Sequence, residues 1–267
     1  MKKLLAIIFI MILALSGCES GDVEESLTPE DITTFDEVIE DGKVEIDGIS
    51  YDIKSVSKST YEYDNEGNII ERTNKNNDKK VRTEFTYNEN NDVVEEKNYS
   101  DGNLIASRIY SYEDDVLKEL KVVYEEGLEV RTKYSYEEDK EILTSYNTDG
   151  SESITATVYK DENGNKLKMV QSLPEQENLT ATTNYQYEDY LLIKATTERN
   201  DTNTTVHYEY NNVGDKIMEY SITILNDLYF LDVTFFEYEY NNKLQPTSLN
   251  TYRIQSPIEE ENIREFD

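Results

Sequence analysis

Residues Tyr61–Ile70 read YEYDNEGNII. Two tyrosines flank a glutamate, an acidic turn with a glycine follows, and two isoleucines close the phrase. Variants recur as FTYNENNDVV (85–94), YSYEDDVLKE (110–119), YSYEEDKEIL (134–143), VYKDENGNKL (158–167), YQYEDYLLIK (185–194), YEYNNVGDKI (208–217) and YEYNNKLQPT (238–247). Taking Tyr63, Tyr87, Tyr112, Tyr136, Tyr159, Tyr187, Tyr210 and Tyr240 as the reference aromatics gives intervals of 24, 25, 24, 23, 28, 23 and 30 residues. A period near 24 over most of a chain is the mark of a repeat architecture. The first aromatics of the phrases are Tyr61, Phe85, Tyr110, Tyr134, Tyr185, Tyr208 and Tyr238, with Thr157 in the fifth unit.

Strict alternation precedes each phrase. Leu128, Val130, Thr132, Tyr134 and Tyr136 share one face; Glu129, Arg131, Lys133 and Ser135 share the other. A period of two is a half-buried strand, whereas a helix would scatter these side chains around its axis. Asn and Gly in the turns, as at Asp64–Asn68 and Asp161–Asn165, tolerate the left-handed backbone that hairpins require. A second turn stands mid-unit, as at Asp101-Gly102 and Asp149-Gly150. Each period therefore holds two strands. The expectation is an all-β antiparallel meander of about sixteen strands, curled or twisted, with an opening hairpin at Lys43–Ile53 around Asp47-Gly48. The tyrosines then form ladders on one face, and the glutamate between them points to water. Tyr229–Tyr240 is apolar on both faces and is expected to be covered on both.

This grammar resembles the YD repeats of Rhs and teneurin-type proteins, in which an aromatic-x-Tyr-Asp phrase precedes a glycine turn. The likeness covers roughly residues 51–245 and is best at Tyr61, Tyr63, Asp64, Gly67 and Asn68. Asn88, Glu113, Glu137, Glu188, Asn211 and Asn241 depart from it, standing where that family prefers Asp. In the large relatives such repeats wind into a shell around a cargo. Eight units are too few for such a shell, so the resemblance implies hairpin geometry and not encapsulation.

The amino terminus obeys a different rule. Lys2 and Lys3 precede an apolar run, Leu4–Leu15, that is too short to span a bilayer comfortably and suits a secretory signal. It ends in Leu15-Ser16-Gly17-Cys18, which holds the chain's one cysteine and resembles the lipobox of bacterial lipoproteins. That resemblance implies cleavage before Cys18 and thioether lipidation of it, the alternative being an ordinary signal peptide with an incidental cysteine. Acyl chains there would hold the protein at a membrane, each buried CH₂ contributing about 0.8 kcal/mol. Domain boundaries follow: a signal peptide at 1–17, an acidic disordered tether at 18–42, the repeat domain at 43–255 and an acidic tail at 256–267. Residues 19–42 contain ten acids and no Lys or Arg, and such a segment repels itself.

The chain has 267 residues and a formal charge of −31; loss of Lys2 and Lys3 with the signal makes it −33. Nucleic acid is excluded as a partner by that charge. His207 is the single histidine; it lies on a wet strand face and no Gly-x-Ser-x-Gly elbow accompanies it, so a Ser-His-Asp triad is not expected. With 57 acids, carboxylate spacing alone does not discriminate a glycosidase pair. The Asp64–Asn68 and Asp161–Asn165 turns faintly echo calcium loops but lack the full ligand frame. No cofactor is expected. The tyrosine ladder reads as core rather than as a sugar-stacking surface. A membrane-spanning barrel is opposed by polar residues on the tyrosine face.

The functional expectation is a non-catalytic, lipid-anchored scaffold of the bacterial cell envelope, exported to the outer membrane or cell surface. It would engage the membrane through Cys18 and bind a protein or glycan. Three other readings stand beside it: a carrier enclosing a lipid or apolar ligand, an immunity or accessory lipoprotein paired with a toxin, and an envelope hydrolase.

Overall fold

The computed structural model describes residues 27–76, 79–173 and 176–264; the signal segment, Leu15, Ser16, Gly17 and Cys18 lie outside them. The chain forms strands joined by tight turns. A short hairpin of β1 (Ile39–Glu40) and β2 (Lys43–Ile46) leads into β3 (Ile49–Tyr63), so the opening hairpin turns at Asp47-Gly48 as expected. Eight two-stranded units follow. They are β3 with β4 (Ile69–Asn76), β5 (Lys79–Tyr87) with β6 (Val93–Ser100), β7 (Asn103–Glu113) with β8 (Val116–Tyr124), and β9 (Glu129–Tyr136) with β10 (Lys140–Tyr146). The second half comprises β11 (Glu152–Lys160) with β12 (Lys166–Leu173), β13 (Gln176–Glu188) with β14 (Leu191–Arg199), β15 (Thr202–Tyr210) with β16 (Lys216–Leu225), and β17 (Leu228–Tyr240) with β18 (Pro246–Ile258).

Every strand from β3 to β18 pairs antiparallel with its successor, and β18 returns to pair with β3 from Ser248↔Thr60 to Ile254↔Ile53. The meander is thus a closed sixteen-stranded barrel. Eight units close a ring, and closure removes the two exposed edges an open meander would carry.

The alternation sorts the wall into two faces. Around the ring, Tyr61↔Arg72↔Thr83↔Asn98↔Ala106 lie on the tyrosine face, and Glu62↔Glu71↔Glu84↔Lys97↔Ser107 on the opposite face. Burial along β4–β15 is one-sided and modest. The buried strand residues there, including Thr83, Ala156, Val158, Thr183 and Ala195, belong to the tyrosine face, where small side chains are sheltered by aromatic neighbours. A ring of sixteen strands is wider than side chains can fill.

The densest packing is local. On the opposite face of β16–β18, Met218, Tyr220, Leu231, Val233, Phe235 and Ile254 are almost wholly buried, covered by Val44, Ile46 and Tyr51 of the opening hairpin. Phe35 packs on Phe235 with ring centroids 5.0 Å apart. Here the expected tether and tail are corrected. Residues 28–42 form a docked strap: Asn212 bonds Thr33 and the carbonyl of Asp31, and Ile39–Glu40 is a strand. The tail docks as well. After a 3-10 turn at Glu260–Asn262, the Arg264 guanidinium donates to Glu37 at 2.7 Å and its backbone N–H donates to the Tyr220 hydroxyl at 3.0 Å. An acidic composition did not prevent order here because Phe35, Ile39 and Ile263 meet an apolar strip that needed a cover. Tyr229–Tyr240 is accordingly covered on the Phe235 face, while Phe230 on the other face is 40% exposed.

Candidate functional site

The repeated phrase builds one rim of the barrel, since all odd-numbered strands from β3 to β17 end there. Two chemistries recur on it. The first is an Asx turn. Asp64 Oδ1 accepts the N–H groups of Glu66 and Asn68, and its Oδ2 accepts from Asn68 Nδ2. Asp161 does the same with Asn163 and Asn165. Asn88, Asn211 and Asn241 do the same backbone job through Oδ1. The Asn residues that depart from the YD pattern are therefore physically equivalent to Asp in these turns. Glu113 and Glu188 mark another turn type. They end β7 and β13 as paired strand residues before two-residue hairpins, Asp114-Asp115 and Asp189-Tyr190, whose φ values are all positive.

These bonds also lower the turn carboxyls. The backbone N–H of Asn68 holds the Asp64 carboxyl below the usual range. At Asp161 burial opposes the shift, but the Asn165 side chain and the turn amides outweigh it. Both carboxylates already accept the turn's own donors, and no cluster of three potential metal ligands occurs among the described residues.

The second chemistry is a tyrosine latch, which the sequence did not reveal. In most units the strand after the turn bulges at its start; Tyr63 pairs with Ile69 while Glu62 pairs with Glu71, leaving Ile70 over. A bulge disrupts the ladder and leaves backbone groups without their regular partners. The carbonyl beside it is claimed by the reference tyrosine of the next unit. Tyr87 donates to Ile69 O at 2.7 Å, Tyr112 to Val93 O at 2.9 Å, Tyr136 to Leu117 O at 2.9 Å and Tyr210 to Leu192 O at 2.9 Å. Tyr187 meets the Lys166 backbone the other way round, its hydroxyl accepting the N–H. In the last unit the first tyrosine, Tyr238, reaches Lys216 O, while Tyr240 donates to Asp215. The seam uses the same latch, Tyr63 donating to Pro246 O at 2.6 Å.

The exception explains itself. The β9–β10 pairing has no bulge, so no carbonyl awaits a latch, and the next unit has no tyrosine in that place. Lys160 stands there instead and pairs with Glu141 at 2.6 Å. This corrects the alignment of the fifth phrase. Asp161 is the equivalent of Asp64, so Lys160 matches Tyr63 and Val158 matches Tyr61. Tyr159 pairs with Lys140 and Lys168 on the opposite face and is 37% exposed. The remaining phrase aromatics, Tyr61, Phe85, Tyr110, Tyr134, Tyr185 and Tyr208, share the tyrosine face with the latches. Tyr110 bonds Glu96 at 2.6 Å.

The titratable groups are engaged in structure. Burial pushes Tyr63, Tyr136 and Tyr208 up to about 12. Asp215 is raised by burial, against the hydrogen bond it accepts from Tyr240. Glu209 is raised by burial under the strap, with Glu37 and Asp36 adding repulsion against the attraction of Arg264. Glu209 and Asp215 are therefore set apart, one on the opposite wall face and one in a turn. His207 is half-buried rather than fully wet; burial and Lys194 lower its pKa, and Lys194 and Tyr220 are its cross-strand partners.

No family model matches the chain, and no curated protein does. Among solved structures, a porin-like protein from Bacteroides uniformis aligns at 11% identity with a TM-score of 0.37, covering 77% of this chain and 96% of that one. Two structures of the TcdB2-TccC3 protein align at 9% and 10% identity with TM-scores of 0.22 and 0.23. They cover 78% of this chain, which spans only 15% and 16% of their length. At scores this low the likeness assigns neither family nor activity.

Proposed function

We propose that the mature chain is a non-catalytic β-barrel scaffold, lipid-anchored through Cys18 at the bacterial envelope, that binds a protein partner. The observation that carries this reading is a closed wall with charge on both faces. The Glu62–Glu71–Glu84–Lys97 row faces one side, and Arg72, Glu96 and Arg108 face the other. A barrel spanning a bilayer turns an apolar band about 25 Å tall to lipid, and a Lys or Arg at mid-depth there costs ~2–4 kcal/mol. Among the described residues neither face offers such a band, which favours a barrel standing in water with the lipobox supplying the membrane contact. The same charge disfavours an apolar-ligand carrier. Hydrolysis is disfavoured because the two raised carboxylates, Glu209 and Asp215, sit apart and are engaged by the strap and by Tyr240.

The test is fractionation of cells carrying the wild-type chain or Cys18→Ala, with intact-mass analysis of the product. A membrane-bound, acylated wild type and a released variant are expected. Soluble, unacylated wild-type protein would overturn the reading.

A further inference from the structure

The two faces of the wall differ in charge as well as in burial, and the curvature of the ring tells inside from outside. Burial raises the Tyr61 and Tyr63 hydroxyls, and the Asp215 carboxylate pushes both the same way. Asp215 opens β16, which stands three strands from β3, about 14 Å along the wall. Side chains lean together over such a distance on the concave face of a curved sheet and splay apart on the convex one. Exposure alternates to match. In β9, Val130, Thr132, Tyr134 and Tyr136 are half-buried, while Arg131, Lys133 and Ser135 are exposed. The tyrosine face therefore lines the bore, and the strap and tail lie outside. Sixteen strands about 4.8 Å apart and tilted by ~40° make a ring roughly 30 Å across between backbones. The tyrosines lining it stay half-buried, so water fills the space between facing walls.

The chain has a formal charge of −31, yet its bore has the opposite sign. Within the strands, and among the residues whose side chains are described, the acids on the tyrosine face are ion-paired. Glu96 holds Arg108 at 3.2 Å, and Glu141 holds Lys160 at 2.6 Å. Glu219 holds Lys216 at 2.6 Å, and Asp232 is paired with Arg253. Two cations of that face are left over. Arg72 and Lys118 meet no acid among the described residues; they lie over the rings of Phe85 and Tyr136, at 5.9 Å and 5.6 Å from the centroids. Lys79, Lys166 and Arg199 add charge at the strand ends of the same face. The surplus of acid sits elsewhere. Glu62, Glu71 and Glu84 point from the outer wall into bulk water, and turn acids such as Asp64 and Glu126 stand at the mouths. Half the height of a tilted nine-residue strand such as β8 is about 11 Å. That exceeds the Debye length of about 8 Å at physiological salt, so the mouths are screened from mid-bore.

We infer that the barrel is an anion-selective vessel: its bore attracts small hydrated anions, carboxylate or phosphate, that its outer wall repels. The attracting sector is β4–β8, where Arg72 and Lys118 flank the self-neutralised Glu96–Arg108 pair. The inference goes beyond the scaffold reading and is independent of acylation at Cys18.

The test reads local potential with two thiol reagents of similar size and opposite charge, an anionic and a cationic methanethiosulfonate. In the full-length Cys18→Ala chain, Val122→Cys places a thiol in the bore, cross-strand from Arg108. Thr86→Cys places one outside, cross-strand from Glu95. The ratio of anionic to cationic rate is expected to be at least about fivefold higher at position 122 than at 86 in low salt, and the contrast should shrink as salt is added. Arg72→Gln/Lys118→Gln should remove most of the excess with the β circular-dichroism signal unchanged, and either single substitution part of it. Equal or inverted ratios, ratios indifferent to these substitutions or to salt, or a thiol at 122 that neither reagent reaches would overturn the inference. A thiol reagent coupled to a large dextran should modify position 86 and spare 122. Equal modification would put the tyrosine face outside and overturn the bore itself.

Discussion

At the residue scale, the phrase tyrosines are hydrogen-bond donors first and apolar surface second. Each latch joins one unit to the bulge of the unit before it, so deleting a single hydroxyl isolates its contribution. Tyr87→Phe leaves the Ile69 carbonyl without its partner and is expected to destabilise the barrel by about 1 kcal/mol. Tyr159→Phe, on the opposite face, is expected to change stability by less than about 0.5 kcal/mol. Urea unfolding of the two variants checks the contrast; equal effects would refute the latch. Alkaline pH attacks every latch at once, because a phenolate cannot donate. The folded-state pKa of Tyr63 and Tyr136, about 12, lies above the unfolded value near 10, and burial raises Tyr87, Tyr112 and Tyr210 in the same direction. Folded protein therefore binds more protons between those values, and stability is full below about pH 10 and falls as pH rises toward 12. The ring resonances of Tyr63 and Tyr136 should titrate together with loss of the β circular-dichroism signal in that window. Ionisation of either ring near pH 10 with the fold intact would contradict the assignment.

At the element scale, turn type was partly readable and latching was not. Asp and Asn at the phrase end signal the five-residue Asx turn, and alternation fixed which residues share a face. The fifth phrase misled because the aromatic at Tyr159 drew the alignment one residue early, whereas Asp161 and Gly164 carry the true register. Composition also misled at residues 28–42, where two or three apolar side chains outweighed the acids once a complementary strip was available. The bulge that each latch serves arises from strand pairing and has no signature of its own in one unit. It is visible only by comparing units, since the one pairing without a bulge, β9–β10, is followed by the one unit with Lys160 in the latch position. The two-residue turns store local strain. Tyr190 holds φ 69° and is 74% exposed, so its ring gains little in exchange for a backbone region that costs a non-glycine residue roughly 1–2 kcal/mol. Tyr190→Gly is expected to stabilise the barrel by about 1 kcal/mol after the entropy glycine adds to the unfolded chain; a lower melting temperature would show that the ring has packing work to perform.

At the scale of the whole molecule, repetition solves the edge problem. A single hairpin is marginal in water, and an open row of eight would expose two edges to aggregation. Closure by the same pairing and the same latch removes both, and the strap thickens the wall at β16–β18, where its opposite face is apolar. Seam closure was not legible in the sequence, because no local pattern in Tyr63 or Pro246 distinguishes a ring from a longer open sheet. It is also the claim on which the rest depends. Lys58 and Asn250 are cross-strand partners over the seam, at the Cα separation of about 5 Å that a disulfide bridges. In a Cys18→Ala background, Lys58→Cys/Asn250→Cys should form an intramolecular disulfide in the monomer on mild oxidation, while Lys58→Cys/Lys133→Cys, placed across the ring, should not. Failure of the seam pair to close, in folded protein with β-sheet circular dichroism, would show an open sheet and contradict the barrel.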